Sequence, residues 1–443
     1  MKSINVNEQI DKAKFNPFFL TVFLCGLFII IFDGYDLNIF GVVMPVLMKD
    51  TGLNPTQSGL LASYGLYGMI FGSIFFGWFA DKIGRKNVIM LCVAIYCVFT
   101  GFAGTGHSLV TFAICRVIAG MALAGVTPNM LALVSEYSPL SSRATLIGIA
   151  NIGVPIGTIL CTLIGMSVMP GHGWRIMFFL AFIPIFMVAI AYFFLPDSLV
   201  SMVKRGEKSK IQNLLKKINP SLALNENDEY TVKEFHNTVK GSITSLFKHG
   251  FARNTIIFCI MFFINLFLLF GIGTWLPKLM MNQGYNLVSG LSFLLTLNLG
   301  SFLFVPIGGK LADKYGHKPI LVTYFLVASV LLYTLSFKWD IAVLSILVFI
   351  IGGMINGNQS LLYAYVGVNY PLNFRSTALG GIVGIGRLGG AFGPTIMGIL
   401  LSAHVSVTVN FLVFAIPALV AGLVVLLTKN MANSSNKANM KIA

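Results

Sequence analysis

The amino-acid sequence predicts an all-α membrane protein, twelve transmembrane helices in two pseudo-symmetric six-helix bundles with both termini in the cytoplasm. Three observations carry that expectation: a composition too apolar for a water-facing surface, a one-sided distribution of basic residues, and an internal repeat at constant offset. Of 443 residues, 56% are hydrophobic and 10% charged, against about 25% charged in a soluble domain. Crossing ~30 Å of hydrocarbon takes ~20 apolar residues in a helix, and only a helix satisfies its own backbone groups there. Such runs lie at 18–47, 57–80, 87–106, 110–135, 144–168, 175–196, 254–277, 288–311, 319–337, 340–369, 376–401 and 405–428.

The net charge of +15 would suit a nucleic-acid binder if the basic residues formed one surface. Their placement argues otherwise. With the N-terminus inside, 24 of the 30 Lys and Arg fall in cytoplasmic segments, ten of them between Lys204 and Arg253, whereas outer loops hold Lys49, Arg175, Lys278 and Lys338. That asymmetry is the positive-inside rule. It sets orientation, and no nucleic-acid partner is expected. The first apolar run is too long for a cleavable signal peptide, so the first helix is expected to stay in the mature protein. The six cysteines fall within spans without zinc-ligand spacing to His, and read as small buried apolar residues; no cofactor or metal is expected.

The repeat gives the domain organisation. GWFADKIGRKNVI after the second span matches GGKLADKYGHKPIL after the eighth, with Asp81 and Asp313 standing 232 positions apart (313 − 81). EYSPLSSRATLIG and VNYPLNFRSTALG align at the same offset, pairing Pro139 with Pro371, Arg143 with Arg375 and Gly148 with Gly380. Both copies follow an even number of spans, so the halves share one orientation. The expected domains are an N-terminal bundle over 1–196, a cytoplasmic linker over 197–253, and a C-terminal bundle with a short tail over 254–443. Within the linker, KRGEKSKIQNLLKKI has the pattern of an amphipathic helix on the cytoplasmic surface.

The run Gly77-x-x-x-Asp81-Lys82-x-Gly84-Arg85-Lys86 resembles the loop signature of the major facilitator superfamily, and the group Glu136, Pro139 and Arg143 is similar to its acidic-proline-arginine element. In the second copy of the loop, His317 stands where the first has Arg85. The resemblance implies that Asp81, Arg85, Glu136 and Arg143, with Asp313 and Arg375 in the second half, latch the cytoplasmic side. Carboxylates facing helix N-termini and neighbouring cations would favour such a latch.

Four ionisable residues lie at membrane depth: Asp33 and Asp36 in the first span, Arg116 in the fourth and Arg387 in the eleventh. An intramembrane charge costs at least ~2.5–3.5 kcal/mol and marks a substrate or proton path by default. Asp33 and Asp36 share one helical face, with Gly34 between them allowing close approach. Two close carboxylates in a low-dielectric cavity resist double ionisation, which suits a proton carrier; a static bridge to Arg116 is the structural alternative. A guanidinium is always charged and matches a carboxylate with a planar fork, so Arg116 and Arg387 point to an organic-acid site. Tyr35, Tyr67, Trp275 and Tyr363 are candidates to stack on a substrate, or ordinary packing. Asn265 is the repeat counterpart of Asp33, and Asn356, Asn358 and Gln359 in the tenth span are further polar candidates. The glycines at 384, 386 and 389 spell G-x-G-x-x-G inside a membrane helix, not after a strand, so no dinucleotide is expected.

Asp33-Gly34-Tyr35-Asp36, the run Gly386–Pro394, and Pro128-Asn129 followed by Ser135-Glu136-Tyr137 resemble the aromatic acid:proton symporter family. That resemblance implies uptake of benzoate-like acids with protons across a bacterial inner membrane, in the service of aromatic catabolism, with the acidic pair and the core basic residues as essential groups. The expected partners are a small aromatic carboxylate, protons and membrane lipid, with the monomer as functional unit. Nicotinate or an aliphatic dicarboxylate on the same scaffold is the alternative. A membrane-embedded enzyme is disfavoured, because no nucleophile, metal cluster or His lies at membrane depth.

Overall fold

The structure, a computed structural model, describes residues 3–106, 108–219, 222, 224, 228–232, 246 and 251–429. A strand β1 (Ser3–Asn5) and a short helix α1 (Val6–Asp11) precede the first half, which consists of α2 (Pro17–Thr51), α3 (Pro55–Ile83), α4 (Arg85–Ala103), α5 (Leu109–Glu136), α6 (Arg143–Asn151), α7 (Gly153–His172), α8 (Arg175–Phe179) and α9 (Ile183–Phe194). The linker contributes α10 (Leu199–Lys204), α11 (Lys208–Ile218) and β2 (Glu229–Thr231). The second half is α12 (Ala252–Asn282), α13 (Leu287–Tyr315), α14 (His317–Thr334), α15 (Ile341–Asn369), α16 (Leu372–Ser402) and α17 (Val407–Leu426). Among the described residues, twelve helical stretches are long and apolar enough to span a membrane.

Two expected spans are interrupted, and proline explains both. The fifth divides at Ile152 into α6 and α7, where Pro155 has no N–H to give the Asn151 carbonyl. The sixth divides around a 3-10 turn, Leu180–Phe182, because Pro184 cannot donate to Leu180.

Packing groups the chain into two compact units. One comprises Met1–Leu37, Gly68–Leu160 and Arg175–His236. Its cytoplasmic end holds what composition alone did not suggest: β1 and β2 pair in parallel, Ser3 opposite Glu229 and Asn5 opposite Thr231. The expected amphipathic helix is α11, and Ile211, Leu214, Leu215 and Ile218 form its buried stripe. This stripe joins one cluster with Val6 and Ile10 of α1 and Tyr230 of β2, so the helix faces protein. Asn16 ties the parts together. Its amide donates to the Lys217 and Ile218 carbonyls at the end of α11, at 3.2 Å each, while its oxygen caps the start of α2 through the Phe18 amide.

The other unit comprises Asn38–Tyr67, Cys161–Trp174 and Asn237–Ala443. Here the outer ends of α3 and α16 are joined by hydroxyls: Thr56 to Ser402 at 2.8 Å and Thr395 to Ser63 at 2.7 Å. Trp174 of the α7–α8 connection donates to Asp50 of α2 at 2.9 Å.

The 232-residue repeat is visible in the packing of each unit. A methyl group on Gly157 would strike the Ile31 carbonyl oxygen, and one on Gly389 would strike that of Phe263. Both members of the second pair stand 232 positions after the first (389 − 157, 263 − 31). Each helix crossing is thus a backbone contact that only glycine permits. The two loop glycines, Gly84 and Gly316, likewise share positive φ, 90° and 89°.

Candidate functional site

Asp33 and Asp36 project from one face of α2, and both are buried. Asp36 forms an ion pair with Arg116 of α5: the guanidinium Nη1 donates to its two carboxylate oxygens at 3.1 and 3.2 Å. The Thr100 hydroxyl of α4 donates to the same carboxylate at 2.7 Å. Only 1% of the Asp36 side chain and 5% of the Arg116 side chain remain exposed, so the pair is held in low dielectric. One turn earlier on α2, Asp33 accepts a hydrogen bond from Thr127 of α5. Arg116 and Thr127 are eleven residues apart, close to three full turns, and therefore share a face.

A second polar group is built on α12, α15 and α16. Asn265 donates to the Gln359 side-chain oxygen at 2.7 Å. Tyr363 stands one turn beyond Gln359 on α15, and Arg387 of α16 lies close enough to act on Tyr363 electrostatically. Phe262 packs edge-on against Tyr363 at 5.3 Å between ring centres. Asn265 keeps a buried carbonyl oxygen without a hydrogen-bond partner, and Asn358 keeps its whole buried amide so, among the described residues. Buried amides left this way call for water or a ligand.

The two groups are related by the repeat. Asn265 and Gln359 stand 232 positions after Asp33 and Thr127 (265 − 33, 359 − 127), and both pairs are hydrogen-bonded. The counterparts of Asp36 and Arg116 are Leu268 and Val348 (268 − 36, 348 − 116), both buried.

Of the expected site residues, Asp33, Asp36 and Arg116 are brought together in the first half, and Asn265, Gln359, Tyr363 and Arg387 in the second. Three others are committed to helix contacts. The Tyr35 hydroxyl donates to the Met177 carbonyl at 2.8 Å, Trp275 donates to the Pro394 carbonyl at 2.9 Å, and Asn356 donates back to the Gly352 carbonyl in its own helix at 2.9 Å. Thr100 and Thr127 escape sequence reading because hydroxyls are unremarkable in apolar helices. The repeat offers one signal, since Thr127 is the counterpart of Gln359.

At the cytoplasmic end of the first half, Arg85 pairs with Glu136, which also accepts from the Ser198 hydroxyl and the Leu199 amide at 3.2 Å each. Arg143 pairs with Asp11 of α1 and donates to the Ser138 carbonyl at 2.9 Å. Tyr137, just beyond α5, gives its hydroxyl proton to the Asp197 carbonyl at 2.5 Å. Burial, reinforced by Glu136 and Asp197, pushes that phenol well above its usual range. Asp313 and Arg375 make no ion pair among the described residues, and the Asp81 side chain lies outside them. No group of three metal-ligating side chains comes together among the described residues.

Twelve membrane-length apolar helices among the described residues, in two repeat-related sets of six, define a multi-pass membrane protein, and the family match makes it a transporter rather than an enzyme. The chain belongs to the Major Facilitator Superfamily, whose model matches residues 26–304 and 291–441. It is 35% identical to the benzoate transport protein of Acinetobacter baylyi, over 94% of this chain and 91% of the relative. It is 30% identical to the gentisate transporter of Corynebacterium glutamicum, over 91% of this chain and 86% of the relative. Among solved structures, the inward-open xylose transporter of E. coli superposes with a TM-score of 0.73 at 14% identity, covering 95% of this chain and 99% of that one, a likeness of fold.

Proposed function

We propose that the chain takes up small aromatic carboxylates together with protons by alternating access. The buried Asp36–Arg116 pair carries this reading. While Asp36 is ionised it occupies the guanidinium. Once it takes a proton, Arg116 is a buried cation lacking its carboxylate, a state that costs about 3–5 kcal/mol when nothing replaces the partner. The carboxylate of an incoming acid is the natural replacement, with the same planar fork geometry. Proton and organic anion thus favour each other, and a site holding one alone is disfavoured. Asp33 is the second proton acceptor, one turn away on the same face. In the second half, Arg387 of α16 acts electrostatically on Tyr363 of α15, and the two would offer an aromatic acid a cation and a π-face.

The relatives that transport benzoate and gentisate support an aromatic ring on the substrate. Proteoliposomes with an imposed inward pH gradient test both parts of the proposal. Labelled benzoate is expected to accumulate uphill in the wild-type protein, and to lose gradient dependence when Asp33→Asn and Asp36→Asn are combined. Gradient-independent uptake by the wild type, or full uphill activity in the double variant, would overturn proton coupling. Competition by benzoate, nicotinate and an aliphatic dicarboxylate identifies the class; preference for either of the last two would displace the aromatic reading.

A further inference from the structure

A cavity of about 450 Å³ opens on the cytoplasmic end of the first unit, away from the buried ion pair. Its walls bring together five helices: the starts of α2 and α4, the end of α9, and α10 and α11. Four cations line it, Lys86, Arg205, Lys210 and Lys217, against a single carboxylate, Asp197. Lys210 is shared with Glu207 at 3.1 Å and Asp197 at 3.8 Å. The hydrogen bond and charge of Glu207 lift its ammonium above the ordinary value, so it stays charged. Arg205 donates to the Ile83 carbonyl at 2.9 Å, and Lys86 lies 5.0 Å over the Tyr192 ring. Lys86 and Lys217 have no carboxylate within ion-pair distance among the described residues.

The opposite wall is apolar and faces outward. Tyr192, Phe193 and Phe194, the last turn of α9, are 59%, 81% and 57% exposed. Phe186 and Ile190 continue that exposed face down the helix, as expected of a surface bathed in acyl chains. Aromatic rings at the end of a span mark the headgroup level of the bilayer. The cavity therefore sits where the hydrocarbon ends, with excess positive charge on its cytosolic side and aromatic rings on its lipid side. A soluble anion would use the cations and leave the rings idle. A lipid uses both.

We propose that this cavity binds the phosphate headgroup of an anionic phospholipid from the cytoplasmic leaflet, its phosphodiester among Lys86, Arg205 and Lys217 and its acyl chains along the exposed face of α9. Basic pockets at this depth are suited to such headgroups. A bound lipid would fasten α4, whose first residue Arg85 pairs with Glu136, to the linker helices.

The test uses the full-length protein in detergent micelles, titrated with phosphatidylglycerol or phosphatidylcholine and read by native mass spectrometry. A further arm offers soluble inorganic phosphate and glycerol 3-phosphate. Phosphatidylglycerol is expected to bind more tightly than phosphatidylcholine, and the soluble phosphates not to displace it. Affinity should fall about fivefold for each lysine removed in Lys86→Gln and Lys217→Gln. Lys208→Gln, on the same helix but outside the cavity, should leave it unchanged. Lys217 is exposed, so that single variant reports on binding even if the Lys86 variant folds poorly. Equal binding of the two lipids, displacement by soluble phosphate, or undiminished affinity in Lys217→Gln would each overturn the proposal.

Discussion

In the first half of the chain, α2 and α5 meet across the Asp36–Arg116 ion pair; 232 positions later, α12 and α15 hold Leu268 and Val348 at the same places. Both arrangements are buried. The second half is thus an internal control for the first: at these two places the repeat accommodates buried aliphatic side chains. A buried ion pair gains little over such a pair, because desolvation consumes most of its Coulombic attraction. Stability therefore gives no reason for the charges in the first half. The proposed exchange of a proton on Asp36 for a substrate carboxylate on Arg116 would supply one. Other particulars, by contrast, recur on both sides: the Gly157 and Gly389 crossings, and the Asp33–Thr127 and Asn265–Gln359 bonds.

The comparison can be broken most sharply at the ion pair. Arg116→Val alone strands a buried carboxylate and should lower stability by about 3–5 kcal/mol. Adding Asp36→Leu, which copies the second half, should recover most of that loss in thermal unfolding while uptake stays abolished. A double variant that remains as unstable as the single one would show that the halves are not interchangeable at this crossing.

A smaller effect is expected at the glycine crossings, and there the halves should agree. Gly157→Ala and Gly389→Ala each push a methyl into a facing carbonyl and should cost about 1–3 kcal/mol as overpacking. Unfolding midpoints that differ widely between the two variants would mean that the crossings are not equivalent.

The smallest effect concerns the hydrogen bonds. A double-mutant cycle of Asn265→Ala and Gln359→Ala should give a coupling of about 0.6 kcal/mol, typical between membrane helices. The cycle of Asp33→Ala and Thr127→Ala should give more, since an ionised acceptor strengthens the bond. Equal couplings would argue that Asp33 is neutral in the resting protein.

Span positions and the repeat were legible because apolar length and constant offset are properties of the sequence itself. Asp33, Asp36 and Arg116 were legible for the same reason, as charges where hydrocarbon should be. Their arrangement was less so: Tyr35 and Trp275 are as aromatic as Tyr363, and only the packing shows that their polar atoms are spent on the carbonyls of Met177 and Pro394. Thr100 and Thr127 carry no charge to betray them. The Arg143–Asp11 pair joins residues 132 positions apart, and nothing periodic foretells it. A three-residue strand such as β1 is too short to leave a pattern.

The pairing of β1 with β2 also sets an order in time. Ser3 is made well before its partner Glu229, which follows 226 positions later (229 − 3), after all six spans of the first half. At about 5–20 residues per second, the N-terminal strand waits roughly 10–45 s for its partner. Its docking therefore cannot precede the synthesis of all six spans of the first bundle.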